Sequence, residues 1–210
     1  LSECVAAHVP RLWLSWHYRS RVESLIAFSN AAYYQGRLSS FPSPVIMERD
    51  DGVDGFGINL RRVEGYFVRS VPRGRPRRTY RTNPAEAEAI VEEIRSRFTE
   101  GGHGPGGPSV GVVTFNIQQR DLIETKLRAL DDPQITASLD ADDGVFIKNL
   151  ENVQGDERDT ILFSVAFSAR EDGQIPLNFG PLNRQGGERR LNVAITRARQ
   201  QVILFCSFDP

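Results

Sequence analysis

The stretch VGVVTFNIQQRDLIETKLRAL, residues 110–130, joins an apolar strand to a helix, and this pattern recurs along the chain. Residues 110–114 are apolar without alternation, which is typical of a strand buried on both faces of a parallel sheet. Residues 116–130 have the spacing of an amphipathic helix. The other segments of this kind are VFI (145–147), TILFSVAF (160–167), a helix around Arg189–Arg199 and QVILF (201–205). Such an alternation predicts an α/β fold, a parallel sheet flanked by helices.

Two further helices are predicted upstream. SRVESLIAFSNAAYYQG starts at Ser20 and has Glu23 three residues later, the spacing of a capping box. A buried strand at Leu12–Leu14 is expected just before this helix. Asn83 and Pro84 suit the start of the second helix. The apolar stripe of that helix consists of Ala87, Ile90, Val91, Ile94 and Phe98.

The region between these two helices predicts a small β-rich insertion over residues 41–81. The helical period disappears there, and FGINLRRVEGYFVR (56–69) alternates as a β-hairpin or meander would. RSVPRGRPRRTYR (69–81) holds six arginines and no acidic residue, a composition suited to a nucleic-acid backbone or to a solvated loop. GGHGPGGP (101–108) has the composition of a flexible linker.

Length and composition restrict the class of protein. A chain of 210 residues with 40% hydrophobic and 25% charged residues predicts one globular domain over 1–210. No run approaches the roughly 18 apolar residues of a membrane span and no signal-peptide pattern is present, so we expect a cytoplasmic protein with no membrane partner. Cys4 and Cys206 are far apart and the three histidines are scattered, so no metal site is predicted.

Three polar segments stand out at the ends of the predicted strands and helices. They are HYRS (17–20), NVQGDERD (152–159) and GERRLNVAITRAR (187–199), and we expect them to face one crevice. The guanidinium groups of Arg19 and Arg197 are candidates to pair with phosphate oxygens. Tyr18 could stack on a nucleobase and Glu157 could accept hydrogen bonds from a ribose. Each of these residues also has an ordinary alternative, since most arginines lie in solvated salt bridges and many tyrosines belong to a core.

The sequence lacks the parts that a self-sufficient nucleotide hydrolase needs. There is no GxxxxGK[ST] loop to hold phosphates and no acidic pair after an apolar strand to hold magnesium. No HExxH or GxSxG pattern supports zinc or serine catalysis. The first residue, Leu1, is not a methionine, and Pro210 directly follows an apolar run. We therefore expect a domain of a longer protein, whose remaining parts complete the site.

Taken together, four segments resemble the second RecA-like domain of superfamily-one DNA/RNA helicases. The resemblance covers about residues 20–205 and is closest to the RNA-surveillance and senataxin-like branch, as found in large bacterial helicase-related proteins. HYRS is similar to a Q-Y-R element and VGVVTFNIQQRDLIETKL to a strand with a T-P-Y-x-x-Q turn. LENVQGDERDTILFS is similar to motif V, D-S-F-Q-G-x-E-x-D, and RRLNVAITRAR to motif VI.

The resemblance implies a role for each matching residue. It implies that Tyr18 stacks on or near adenine, that Arg19 and Arg197 reach the γ-phosphate as catalytic arginine fingers, and that Glu157 contacts the ribose. Gln154 and Gly155 would belong to the loop that couples the nucleotide to the nucleic acid. The implied strand-binding residues are Thr114, Phe115, Asn116 and Asn152. The chain departs from the family pattern at His17, Phe115, Asn116 and Asn152.

The implied protein is an ATP-dependent helicase or translocase, of which this chain is the second motor domain. ATP would bind between two RecA-like domains, and the first domain would supply the phosphate loop and the ligands of Mg²⁺. The expected partners are that first domain and single-stranded or duplex nucleic acid, and the chain alone is expected to be inactive. The alternative is a helicase-derived module that binds nucleic acid or acts as a scaffold without catalysis.

Overall fold

The computed structural model of the chain describes residues 2–10, 12–42, 56–69, 80–99, 109–170, 173–175 and 178–208. The predicted linker at 101–108 and residues 43–55 and 70–79 of the predicted insertion lie outside the described residues. The helices are α1 (Ser2–Ala6), α2 (Ser24–Tyr33), α3 (Pro84–Thr99), α4 (Ile117–Arg128), α5 (Pro133–Asp140) and α6 (Gly187–Ile195), with a 3-10 turn at Gly180–Asn183. The strands are β1 (Trp16–His17), β2 (Ser39–Ser40), β3 (Gly57–Arg62), β4 (Val110–Thr114), β5 (Phe146–Asn149), β6 (Arg158–Ser164) and β7 (Ala198–Cys206).

Five strands form the central sheet in the order β3-β7-β6-β4-β5, and all of their pairings are parallel. Strands β1 and β2 pair separately as a two-stranded parallel sheet. Helices α2 and α6 pack against each other, as do α3 and α4. The predicted α/β fold with a parallel sheet flanked by helices is confirmed.

The central strands are buried on both faces, as their lack of alternation predicts. Along β6, Ile161 and Phe163 belong to one hydrophobic cluster, whereas Leu162 between them belongs to the other. The first cluster also contains Leu25 of α2, and the second contains Ile90 of α3 together with residues of α4. Because successive strand residues point to opposite faces, one apolar run supplies both cores.

The expected strand at Leu12–Leu14 is wrong. Leu12 is 94% exposed and Leu14 is 86% exposed, and the strand begins later, at Trp16. A run of three apolar residues is too short for periodicity to distinguish a strand from an extended, solvent-facing segment.

The expected cap at Ser20 is also wrong. Helix α2 begins at Ser24, and the preceding Glu23 already has helical backbone angles and makes no side-chain cap hydrogen bond. The Ser20 hydroxyl instead donates to the backbone oxygen of Ala198 over 3.1 Å. A contact distant in sequence, at the start of β7, therefore holds the side chain that the local pattern assigned to a cap.

The expected hairpin in FGINLRRVEGYFVR is not formed. Its first half is β3, which pairs in parallel with β7 at the edge of the central sheet. Its second half makes only an isolated antiparallel bridge between Val68 and Thr82. The alternation arises because β3 is an edge strand: Gly57 is buried, whereas Ile58 and Leu60 are exposed.

Helix α5 is absent from the sequence interpretation, although a signal for it exists. Asp132 caps the helix, since its side chain accepts hydrogen bonds from the backbone N–H groups of Gln134 and Ile135. Pro133 occupies the first turn. An Asp-Pro pair is the same kind of start signal as the Asn83-Pro84 pair that begins α3.

A buried polar network joins α3 to the carboxyl ends of β6 and β7. Glu86 is fully buried and accepts hydrogen bonds from the Ser164 hydroxyl and the Ala166 N–H, each over 2.8 Å. Its other oxygen accepts from the Asn83 amide over 3.1 Å and from the Ser207 hydroxyl over 3.3 Å. Burial disfavours the charged form and raises the pKa of Glu86 to about 7, although these donors act in the opposite direction.

The raised pKa of Glu86 predicts a chain that loses stability as the pH rises. Its contribution is fully present below the unfolded-state pKa of about 4.5 and is lost as the pH passes the folded-state value. We expect the free energy of unfolding to fall by up to about 3 kcal/mol between pH 5 and 8 through this group. Urea unfolding of the wild type and of Glu86→Gln at both pH values tests this, because the variant should lose that slope. Equal slopes in both proteins would contradict it.

Candidate functional site

Three short segments meet at the amino edge of strands β6 and β7. The Arg21 N–H donates to the Arg199 carbonyl over 2.7 Å, and the Arg158 N–H donates to the Arg197 carbonyl over 3.2 Å. These two backbone hydrogen bonds, together with the bond from the Ser20 hydroxyl to the Ala198 carbonyl in β7, align the segments 19–21, 157–158 and 197–199. The structure therefore brings HYRS, the end of NVQGDERD and the end of GERRLNVAITRAR to one place, as the sequence predicts, but beyond the amino ends of the strands and not the carboxyl ends.

Glu157 lies at the centre of this place, between two arginines. One carboxylate oxygen accepts from Arg19 Nε over 2.7 Å, and the other accepts from Arg199 Nη2 over 2.6 Å. These hydrogen bonds lower the pKa of Glu157 to about 2. The carboxylate therefore stays charged and holds both guanidinium groups in orientation at any physiological pH.

Arg197 occupies the turn between α6 and β7, where carbonyl oxygens hold its side chain. Its Nε donates to the Val193 carbonyl over 2.8 Å, and Nη1 lies 3.4 Å from the Asp156 carbonyl. Within the described ranges, no carboxylate forms an ion pair with this guanidinium. Burial and the positive charge of Arg19 lower the pKa of Arg197, so the site holds this charge at an electrostatic cost that an anion would relieve.

An exposed aromatic ring borders the arginines. Tyr18 is 77% exposed, and the Arg19 guanidinium carbon lies 5.9 Å from the centre of its ring. A ring so exposed contributes little to a core, which argues against the ordinary alternative for Tyr18. It offers a flat face beside positive charge, an arrangement that suits a nucleobase whose phosphates reach the arginines.

His17 connects the site to the start of α2. His17 Nε2 lies 3.1 Å from the Ser20 N–H and 2.9 Å from the Ser20 hydroxyl oxygen. Burial lowers the pKa of His17, and the charges of Arg19 and Arg197 lower it further. His17 is therefore neutral and adds no positive charge to the cluster.

The residues expected to bind the nucleic-acid strand lie at the opposite side of the sheet, at the carboxyl ends of its β-strands. Thr114 ends β4, Phe115 and Asn116 follow it, and all three are buried, whereas Asn152 is exposed. The Thr114 hydroxyl donates to the Asn116 carbonyl over 2.7 Å, and the Asn116 side chain caps α4. These three side chains thus stabilise the turn. Contact with a nucleic-acid strand would involve the exposed residues around the turn or would require a local rearrangement.

The loop at residues 150–157 links the carboxyl ends of the strands to their amino ends. It leaves β5 beside β4, where the Leu150 N–H donates to the Thr114 carbonyl over 3.0 Å, and it ends at Glu157 among the arginines. Gln154 and Gly155 lie exposed within it, and Gly155 has a φ of +98°, a conformation that favours glycine. No helix separates β5 from β6 here, so a shift at one edge has a short covalent path to the other.

Arg199 is the functional candidate that the sequence interpretation misses. It binds both Glu157, at 2.6 Å, and Asp159, at 4.0 Å. A signal for it exists, because Arg197 and Arg199 are two residues apart where β7 begins, and such residues share a side of an extended chain.

The described residues show neither a metal-binding cluster nor a membrane-spanning helix. Within the described ranges, no group of three or more His, Cys, Asp or Glu side chains is placed to hold a metal ion. No helix in that part of the chain has the length and apolar character to cross a membrane.

Comparison with known proteins agrees with the motif resemblance. The chain is 33% identical over 202 residues to an uncharacterized ATP-dependent helicase of Mycoplasma genitalium, covering 91% of this chain and 16% of that protein. It is 32% identical over 203 residues to the homologous helicase of Mycoplasma pneumoniae, with the same two coverages. The chain thus spans about a sixth of the length of these curated relatives.

A solved structure and a family model complete the comparison. The C-terminal domain of a possible DNA helicase from Lactobacillus plantarum matches with a TM-score of 0.46 and 13% identity, over 92% of this chain and 90% of that one. This likeness is too distant to carry an argument about the site. The family model described as an AAA domain matches residues 1–209, nearly the whole chain. The chain therefore belongs to the AAA domain family, and its relatives named ATP-dependent helicases confirm the helicase resemblance of its motifs.

Proposed function

We propose that this chain is the second motor domain of an ATP-dependent helicase or translocase and completes an ATP site shared with a first RecA-like domain. The observation that carries this proposal is the cluster of Arg19, Arg197 and Arg199 around one carboxylate at the amino edge of the sheet. Preoriented guanidiniums beside an exposed aromatic ring suit a nucleoside triphosphate. The arginine cluster does not include a phosphate-binding loop, and the proposal assigns that loop to the first domain.

The two proposed arginine fingers differ in how they are held. Glu157 pairs with Arg19, and in the described part of the chain Arg197 bonds the Val193 and Asp156 carbonyls and the Thr196 hydroxyl but forms no ion pair. A guanidinium that is not paired with a carboxylate is ready to stabilise the charge that develops on a transferring phosphoryl group. We assign Arg197 to the γ-phosphate and Arg19 to the same phosphate region.

The remaining groups of the site have supporting roles in this proposal. Tyr18 stacks on or near adenine. Glu157 orients Arg19 and Arg199, and its carboxylate can still accept a hydrogen bond from the ribose, since a carboxylate has about four acceptor positions. The Mg²⁺ ligands and the residue that positions water belong to the first domain.

Stepping along nucleic acid would use the loop that links the two edges. Closure of the arginine cluster on ATP would shift the Glu157 end of the loop, and the loop would pass this shift past Gln154 and Gly155. Its other end adjoins Thr114 and Asn152 at the carboxyl edge. Conversion of cleft closure into strand movement is the ordinary use of such hinged domains.

The test is ATP hydrolysis by the intact parent protein with and without single-stranded DNA or RNA. We expect strand-stimulated turnover that Arg19→Ala abolishes, because that guanidinium reaches the phosphates. Arg95→Ala is the matched control, since Arg95 lies on α3 and pairs only with Glu92 in the described residues. No turnover in the wild type, with strand binding retained, would overturn the motor proposal in favour of a non-catalytic binding module.

A further inference from the structure

A second arginine-lined site lies at the carboxyl edge, away from the proposed ATP site. It is a pocket of about 290 Å³ beyond the end of β6, and Arg69, Arg81 and Arg170 line it. The bridge between Val68 and Thr82 holds the Arg69 and Arg81 segments side by side. Arg69 and Arg81, the two ends of the predicted arginine-rich run, thereby lie next to Arg170 in the segment that follows β6.

Among the residues that the structure describes, the pocket is lined by three arginines and by no acidic side chain, and none of these arginines forms an ion pair there. The Nε of Arg170 is buried without an acceptor among the described residues. A buried donor with no partner costs free energy, and an anion in the pocket would supply the missing acceptor.

Three aromatic rings also line the pocket. Phe67 and Phe167 pack with their ring centres 5.0 Å apart, and both are buried. Tyr80 also lines the pocket and is 42% exposed. Arginines beside an available aromatic face are the combination that binds single strands, because guanidiniums take the phosphate and the ring stacks on the base.

The pocket also adjoins the residues already proposed to face nucleic acid. Asn178 lines it, and two residues further on a methyl group added at Gly180 would lie 3.4 Å from the Phe167 ring and 4.0 Å from the Phe115 carbonyl, so both groups lie close to Gly180. Phe115 belongs to the turn after β4. The pocket and that turn are therefore neighbours on one edge, which offers a continuous path for a strand.

We propose that Arg69, Arg81, Arg170 and Tyr80 form a binding site for one phosphate and base of a single nucleic-acid strand. This inference rests on the proposed function for the identity of the strand. The site extends the track from the turn after β4 across the end of β6. It gives a binding role to Arg69 and Arg81, the two ends of the arginine-rich run.

The test measures strand binding by the intact parent without nucleotide. Fluorescence anisotropy follows labelled oligothymidylate and oligouridylate of about 20 nucleotides between about 50 and 200 mM salt. The variant Arg69→Gln/Arg170→Gln removes two charges from the pocket. Arg95→Gln/Arg128→Gln is the matched control, because it removes two charges from α3 and α4.

We expect the pocket variant to bind at least one oligonucleotide about tenfold more weakly, with a slope of log affinity against log salt shallower by about 0.7, the value for one lost phosphate contact on a single strand. The control should stay within about twofold of the wild type. Tyr80→Ala should weaken binding by about tenfold without changing the slope, since stacking carries no charge. Thermal melting of each variant separates a loss of fold from a loss of contact.

Wild-type affinity and slope for both oligonucleotides in a folded pocket variant would overturn the proposal. The proposal would also be overturned if the pocket variant bound inorganic tripolyphosphate more weakly but bound both oligonucleotides as the wild type does. The two proposals fail separately, because this assay contains no ATP. A parent that hydrolyses no ATP but loses strand affinity with the pocket variant would overturn the motor role and support the pocket.

Discussion

Replacing Arg197 by alanine in the intact parent is expected to lower ATP turnover by about 10³-fold or more, as for other arginine fingers. ATP binding should be largely retained, because the first domain would hold most of the nucleotide. The physical reason is the position of Arg197, which carbonyl oxygens hold and which pairs with no carboxylate in the described ranges. Its charge therefore remains available to the developing phosphoryl charge.

The measurement is the steady-state ATPase rate with saturating single strand, together with the affinity for a fluorescent ATP analogue. Arg197→Lys should recover little activity, since an ammonium group lacks the planar set of donors that reaches both carbonyl partner and phosphate. Arg189→Ala is the control, because Arg189 lies on α6, just before the turn that holds Arg197, and its side chain is 87% exposed. Near-normal turnover in Arg197→Ala would falsify the assignment of this residue.

Replacing Gln119 by leucine is expected to destabilise the chain by about 4 kcal/mol. Gln119 is fully buried, its side-chain oxygen accepts from the Asn83 N–H over 2.8 Å, and its nitrogen donates to the Asn83 carbonyl over 3.0 Å. It also donates to the Ser164 hydroxyl over 2.9 Å. Leucine would remove these three hydrogen bonds, each worth about 1 kcal/mol net, and would leave the buried Asn83 N–H without an acceptor, which costs about 1–3 kcal/mol. The Asn83 carbonyl would keep the Ala87 N–H as a donor, and the Ser164 hydroxyl would still donate to Glu86.

Urea unfolding of the chain, followed by far-UV circular dichroism, measures this loss. Gln118→Leu makes the same chemical change at the adjacent, only partly buried position and should stay within about 0.5 kcal/mol of the wild type. An equal, small effect of both substitutions would show that the bonds to Asn83 contribute little net stability.

Much of the fold could be predicted because the pattern of apolar residues along each strand reflects which of its faces are buried. Apolar residues without alternation predict β4, β6 and β7, and the Pro84 start and apolar stripe predict α3. Local rules failed where a distant partner competes. Ser20 matches a cap but bonds to Ala198, and β3 alternates like a hairpin but joins an edge beside β7.

The site was predictable in its residue types and not in its geometry. Motif order along the chain identified Arg19, Glu157 and Arg197 as candidates for one crevice, and the structure brings them together. It also places them beyond the amino ends of the strands and adds Arg199 as the second partner of Glu157. These pairings join residues far apart in sequence, so no local spacing reveals them.

By itself, the sequence determined the parallel α/β class, the family and the identity of the phosphate-binding candidates, because periodicity and motifs are local properties of the chain. Only the tertiary structure decided which arginines have a counter-charge, that Thr114, Phe115 and Asn116 are buried, and that Arg69, Arg81 and Arg170 share a pocket. Burial and pairing depend on which distant segments meet, and strand order and register set those meetings.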